Sequence, residues 1–377
     1  MKEQPRFDPR TLSILLCSSL FLCASSLLAA PQGSGAAAGS SSEHSLSRKG
    51  HSLDLEGNFV PGTYTMALQA GTLAQSFDVV VDTGSANLIL LGDSALCDNC
   101  ADAVGQSYDP SKSSTAQLGE TTFSVHYGEG SLEAREVSDK VALGSLSPID
   151  YNFAVMTHQA GIHNTLGVTY KAVAQPQGKP LTPYLDELVQ QTGMADEFSM
   201  LLCIEGQSKI TFGASDVEVS NYTDIVEEKW YVVAPSKMQV KGGKRLGKFS
   251  ARAVVDSGTT ELLVPASMNA KILRALQPVA QKNNLDLSHA LFETSAEVIA
   301  QFPVLQVVIE NSEGQKINLD IAPQTYFGKV ATVGYRLLIS VMNTGQVILG
   351  EVFMQNYHVV FDRANKRIGF GSNAACG

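Results

Sequence analysis

From about Leu53 onward, short apolar runs alternate with glycine-, serine- and asparagine-rich turns, a rhythm that predicts strands far more often than helices. The segments 62–68 and 75–81 form a predicted hairpin around Ala70-Gly71, and 107–115 reads as a turn-rich loop. Strand character over 122–127 breaks at Gly128-Glu129-Gly130 and resumes through Val137 and Val141, which predicts a second, exposed hairpin with glycines at its tip. Helix is scarce. One is expected after Thr182, with that residue as N-cap, Pro183 in the first position and Asp186 and Glu187 in the first turn. A second is expected over 267–276. The predicted class is therefore mostly β.

Within this rhythm one unit occurs twice. Val79-Val80-Val81 runs into Asp82-Thr83-Gly84-Ser85, and Ala253-Val254-Val255 runs into Asp256-Ser257-Gly258-Thr259, 174 residues further on. Each is a β-branched run that delivers a carboxylate into a tight turn. Each is followed at a comparable distance by an apolar pair and a glycine, Leu166-Gly167 and Ile348-Leu349-Gly350. A glycine there lets another backbone approach closely, as clamping an Asp turn requires. The pattern implies an internal duplication in which each half contributes one Asp. Two carboxyl groups brought together cannot easily both ionise, so they hold a proton between them and act as acid and base together.

Composition narrows the setting. The chain has 377 residues, enough for two cores, and a net charge of −10, which argues against a nucleic-acid partner. Residues 1–10 are polar and basic; 11–30 are apolar or small and end in Ser26-Leu27-Leu28-Ala29-Ala30. Residues 1–30 thus read as a secretory signal, the rival being an uncleaved anchor that would tie the protein to a membrane. Residues 31–56 read as a short flexible pro-segment, rich in Gly, Ala and Ser, that carries the basic pair Arg48-Lys49, either a processing site or part of a solvated linker. Lobes over 57–220 and 221–377 are expected to follow. Cys17 and Cys23 would leave with the signal. The remaining Cys97, Cys100, Cys203 and Cys376 allow three pairings, and Cys97-Asp98-Asn99-Cys100 reads as a small surface loop rather than a metal motif, since no second such motif supplies ligands. A Cys203–Cys376 bridge would close a long loop, worth on the order of 5 kcal/mol in the chain-entropy account.

Other chemistries find little support. The glycine-rich run 242–248 approximates a phosphate loop, but Phe249 stands where a magnesium-binding hydroxyl is needed and no helix follows; it reads as a hairpin turn. The histidines are scattered and no G-x-S-x-G is present, so neither a metal nor a cofactor is expected. Asn221-Tyr222-Thr223 is a glycosylation sequon.

Taken together, Asp82-Thr83-Gly84-Ser85, the Tyr127-Gly128-Glu129-Gly130-Ser131 tip, Asp256-Ser257-Gly258-Thr259-Thr260, Ile348-Leu349-Gly350 and the run 360–370 resemble the pepsin-like aspartic proteases, from about Asn58 to Cys376. Residues 198–203 and 368–376 further resemble the β-secretase branch, and that resemblance implies Cys203–Cys376 and Cys97–Cys100 bridges. It also implies two β-barrel-like lobes with a central cleft, catalytic Asp82 and Asp256, and Tyr127 and Gly128 on a flap over an extended substrate. Gly84, Gly258, Ser85, Thr259 and Thr260 would line the site, while Thr83 and Ser257 would cross-link the turns beneath it. The implied protein is a zymogen-derived endopeptidase, monomeric, with a peptide or protein as partner, in a secreted or endomembrane, lysosome-like acidic setting. Family members that only bind peptides usually lose an Asp or disturb its glycines; both turns are intact here. Three departures stand out. Ile89 replaces the tryptophan that often bonds the flap tyrosine, and His163-Asn164-Thr165 replaces the usual approach to the first Leu-Gly. Leu263 stands where β-secretases carry an arginine, which leaves Glu261 either facing substrate or as a solvated rim charge.

Overall fold

Around each Asp turn, four strands are arranged alike in the two halves of the chain. A computed structural model describes residues 50–58, 63–98, 100, 106–127, 130–158, 163–249, 252–330, 334–343 and 346–376. The leader and pro-segment readings up to Lys49, with Cys17, Cys23 and Arg48, lie outside these residues, as does Gly128.

In the first half, Thr63–Ala70 and Gln75–Asp82 form the expected hairpin, in register from Thr65 opposite Val80 to Ala70 opposite Gln75. Gly71 takes the left-handed turn conformation at φ +94°. Alternation along the second strand buries Phe77, Val79 and Val81 and carries Asp82 to its end. This strand pairs in parallel with Thr165–Gly167, which pairs antiparallel with Leu88–Gly92, which pairs in parallel with Ile149–His158. The second half repeats that sequence of directions. Ala253–Val255 runs parallel to Val347–Leu349, antiparallel to which lies Leu262–Val264, itself parallel to Ile339–Val341. The duplication inferred from two Asp turns is thus a duplication of sheet topology.

A further run of strands joins the halves. His51–Asn58 pairs with Thr63–Ala70 on one side and Ser208–Phe212 on the other; the run continues through Glu197–Leu201, His358–Asp362 and Arg367–Gly371 to Tyr222–Asp224. Its inner face stacks Phe198 on Phe361, ring centroids 4.6 Å apart, with Tyr231 against both. The Cys203–Cys376 bridge staples one end of this sheet across 173 residues, and Cys97–Cys100 closes the small loop.

Two helix boundaries differ from expectation. The first helix is Tyr184–Thr192, with Pro183 rather than Thr182 at the cap position and no side-chain cap bond, and it ends at Gly193 in the left-handed conformation. The second runs from Ala266 to Lys282, past the expected end at Leu276 and through Pro278, because the buried stripe Met268, Ile272, Leu276 and Ala280 continues one turn beyond the proline's neighbourhood. The glycine-rich run 242–248 holds a hairpin turn over 241–244, with Gly242 at φ +67°, and then the strand Arg245–Lys248, which pairs back on Pro235–Val240.

Candidate active site

Both Asp turns are buried at the ends of their strands, and each is seated by the apolar-Gly strand beside it. Asp82 lies opposite Gly167 in the parallel pair, and a Cβ on Gly167 would stand 2.5 Å from the Ala86 nitrogen. On the other side a Cβ on Gly350 would stand 2.2 Å from the Thr259 carbonyl oxygen. The glycines are therefore required by close backbone approach, as their spacing implied. The short helix Glu351–Met354 hangs from the second turn: the Glu351 and Val352 N–H groups donate to the Thr259 and Thr260 carbonyls at 2.8 and 3.1 Å.

Within each turn the same two donors, a glycine N–H and a hydroxyl, act on the carboxylate. Gly84 N–H donates to Asp82 Oδ1 at 2.7 Å and the Ser85 hydroxyl to Oδ2 at 2.5 Å. Gly258 N–H donates to Asp256 Oδ1 at 3.0 Å and the Thr259 hydroxyl to Oδ2 at 2.7 Å. Beneath them Thr83 and Ser257 clasp each other. Thr83 N–H donates to Ser257 Oγ at 3.1 Å, Ser257 N–H donates to Thr83 Oγ1 at 2.8 Å, and each hydroxyl donates onward to the strand of the opposite turn, at Val255 and Val81. Each carboxyl lies against the glycine of the opposite turn, so the two act on each other's proton. Burial raises both above the ordinary Asp range; Asp256 is raised well above it, by burial and then by the Asp82 charge. Donors from Ser85 and Gly84 oppose the rise at Asp82, as Thr259 and Gly258 do at Asp256, so the two carboxyls titrate as a pair that holds one proton between them.

A model of the eukaryotic aspartyl proteases matches residues 63–373. The chain belongs to that family. It is 27% identical to chicken (Gallus gallus) cathepsin D over 337 residues, covering 83% of this chain and 81% of the relative. Human (Homo sapiens) cathepsin D is 26% identical, with 84% and 82% covered, and rabbit (Oryctolagus cuniculus) pepsin II-1 is 27% identical, with 84% and 82% covered. The mostly β, pepsin-like fold and the assignment as an aspartic endopeptidase follow from this membership.

The remaining sequence-derived residues are placed as follows. Tyr127 ends the strand Gln117–Tyr127 and pairs across the hairpin with Gly130, which starts Gly130–Leu143. Ile89 is fully buried in an apolar cluster with Phe123 and Val125 of that hairpin and Leu132 and Ala134 of its return strand, so hydrocarbon packing supports the base of the hairpin. Asn164, in the divergent approach to Leu166-Gly167, is buried and accepts from Leu91 N–H at 2.7 Å while its own amide donates to Gln106. Glu261 is neither a rim charge nor a free group facing substrate: it is 2% exposed and paired with Arg336. Asn221 is exposed beside the strand Tyr222–Asp224. Among the described residues no group of His, Cys, Asp and Glu is arranged to hold a metal ion.

Two residues next to the turns escaped sequence reasoning. Trp230 donates its indole N–H to the Gly84 carbonyl at 3.1 Å; its being the chain's one tryptophan was a usable signal. Glu351 is 1% exposed, with neither carboxyl oxygen hydrogen-bonded, and burial first, then its interaction with Asp256, raises it well above the ordinary Glu value. The signal for it was an acid directly after Ile348-Leu349-Gly350.

Proposed function

We propose that this aspartic endopeptidase is secreted or sent to an endomembrane, lysosome-like compartment, and cleaves extended peptides in acid with Asp82 and Asp256 as its catalytic pair. The observation that carries the assignment is reciprocal: the space at Gly84 is occupied by the Asp256 carboxylate and the space at Gly258 by that of Asp82. A water between the carboxyls gives a proton to ionised Asp82 and attacks the peptide carbonyl, while Asp256 donates its proton to the developing oxyanion. No covalent acyl-enzyme is required. Ser85, Thr259 and the Gly84 and Gly258 N–H groups hold the pair, Thr83 and Ser257 lock the turns together, and Thr260, Tyr127 and Gly128 contribute to the substrate side. Substrate adds as a strand along the cleft.

Residues 57–220 and 221–377 are the two lobes in this reading, supported by the repeated topology. The leader directs secretion, the zymogen segment expected over 31–56 stops short of His51 because His51–Asn58 is a strand paired on both sides, Asn221 carries glycan and the mature enzyme is a monomer. Among the described residues no helix is long and apolar enough to cross a membrane. Acid operation follows from a pair that must keep one proton, and the raised pKa values of both aspartates carry that state to higher pH than free aspartates would hold it. The test is digestion of a broad peptide library from pH 2 to 7, with and without a pepstatin-type inhibitor. Inhibitor-sensitive cleavage with an acid optimum is expected. Tight peptide binding without hydrolysis at every pH would replace this reading with a peptide-binding one.

A further inference from the structure

The Asp82 turn depends on a residue that the proximity of Asp256 makes conformationally soft. A Cβ at position 84 would lie 2.6 Å from Asp256 Oδ1, so only glycine fits, and glycine leaves its backbone least restricted of all residues. Yet that backbone carries groups that must be aimed. Gly84 N–H donates to Asp82 Oδ1 at 2.7 Å, and the Ser85 N–H also acts on the Asp82 carboxylate. Between these two N–H groups lies the Gly84 carbonyl, and it receives the indole N–H of Trp230 from the other half of the chain, 146 residues away. The indole is itself fixed. It is 8% exposed, packed with Val232 and Val254 and with Val173 of the first half, and Lys229 Nζ lies 4.6 Å from its ring centroid.

We propose that Trp230 is a positioning residue for the reaction: its N–H anchors the Gly84 carbonyl so that the flanking N–H groups stay aimed at Asp82. Two effects follow, given the proposed catalytic pair on which the inference rests. The anchor holds the carboxylate in its reacting plane. It also polarises the Gly84–Ser85 peptide, because a carbonyl that accepts a hydrogen bond makes its own N–H a stronger donor. A stronger donor favours ionised Asp82, the form that takes the water's proton. The titratable groups facing this assembly are Asp256 across the pair, Glu351 next to Asp256 and Lys229 on the indole; Glu228 and Glu227 on the same segment are paired with Lys366 and Arg252.

Since the chain has a single tryptophan, the N–H can be removed without changing shape, by biosynthetic replacement with benzothienylalanine, in which sulfur stands for the ring N–H. That protein and Trp230→Phe are compared with wild type in pH-dependent peptide cleavage. In both, kcat is expected to fall about fivefold with KM changed less than about twofold. The acid limb should move up by about 0.3 pH unit, since a less stabilised carboxylate protonates at higher pH. If the sulfur analogue matches wild type in kcat and acid limb, Trp230 acts by packing alone and the proposal is wrong, whether or not Trp230→Phe folds. A wild-type chain that cleaves no peptide removes the protease reading instead, and this inference with it.

Discussion

The Asp256 carboxylate occupies the place where a side chain on Gly84 would begin: a Cβ there would lie 2.6 Å from Oδ1, and the mirrored distance from Gly258 to Asp82 Oδ1 is 2.3 Å. Each glycine is thus a spacer for the opposite acid. Gly84→Ala and Gly258→Ala should each separate the carboxyls and lower kcat by at least about a hundredfold, the scale of losing aligned acid–base catalysis. Thermal stability should fall much less. Wild-type kinetics in either variant would show that the pair tolerates a wider gap than the geometry allows.

The aspartates themselves give a sharper contrast. Asp82→Asn and Asp256→Asn keep the shape of each turn while removing the shared proton chemistry. Both should reduce turnover by roughly a thousandfold or more. Circular dichroism should remain that of the wild type. Retained cleavage in either would move the catalytic assignment elsewhere.

Glu351 makes stability depend on pH in a stated direction. Its folded pKa is raised well above the ordinary value of 4.5, so its contribution is fully present below that value. It is lost progressively as pH climbs toward the folded pKa, because the unfolded chain then releases a proton that the folded chain keeps. Asp82 and Asp256, also raised, act with the same sign. Glu351→Gln cannot ionise, so its unfolding free energy relative to wild type should improve steadily above about pH 5, by up to roughly 1.4 kcal/mol per pH unit. Parallel pH profiles for the two proteins would contradict this.

Arg336 is the partner of an acid that has almost no access to water. Arg336→Met should leave Glu261 buried without its counter-charge and cost about 3 kcal/mol in denaturant unfolding. Adding Glu261→Gln should recover most of that loss. A double variant as unstable as the single would mean that the arginine stabilises by packing instead.

How much of this was readable beforehand depended on whether the signal was local. The Asp turns, their hydroxyls and the Leu-Gly partners carry chemistry in contiguous residues, and the two copies reinforce each other. The Lys241–Lys244 turn was legible for the same reason: Gly242 needs a positive φ that few other residues adopt. Less legible were contacts made by distant chain. Nothing near Trp230 announces a bond to Gly84, and Glu261 reads as a surface charge until the strand Gly334–Leu337 brings Arg336 to it. The helix end at Lys282 was obscured because proline suggests a stop, whereas the buried stripe through Ala280 outweighs one lost backbone bond.

The strand His51–Asn58 predicts a boundary for trimming. A chain beginning at Gly50 keeps all its pairings with Ser208–Phe212 and Thr63–Ala70 and should melt like longer forms. One beginning at residue 59 loses the strand between them and should melt several degrees lower, as scanning calorimetry would show. Equal melting points would mean the joining sheet does not need its first strand.

The interleaving of that sheet also sets an order of events during synthesis. Glu197–Leu201 finds its neighbour only when His358–Asp362 emerges, since Glu197 pairs with Asp362 and Phe198 with Phe361. Until then a nascent chain that already contains both aspartates presents an open strand edge and an unstacked Phe198. Contacts so distant along the chain form slowly, and the last cysteine stands beyond them all. The hydrolase can therefore assemble only after nearly its whole length is made, which puts a premium on chaperoning in the compartment where it folds and keeps a half-made chain from digesting its surroundings.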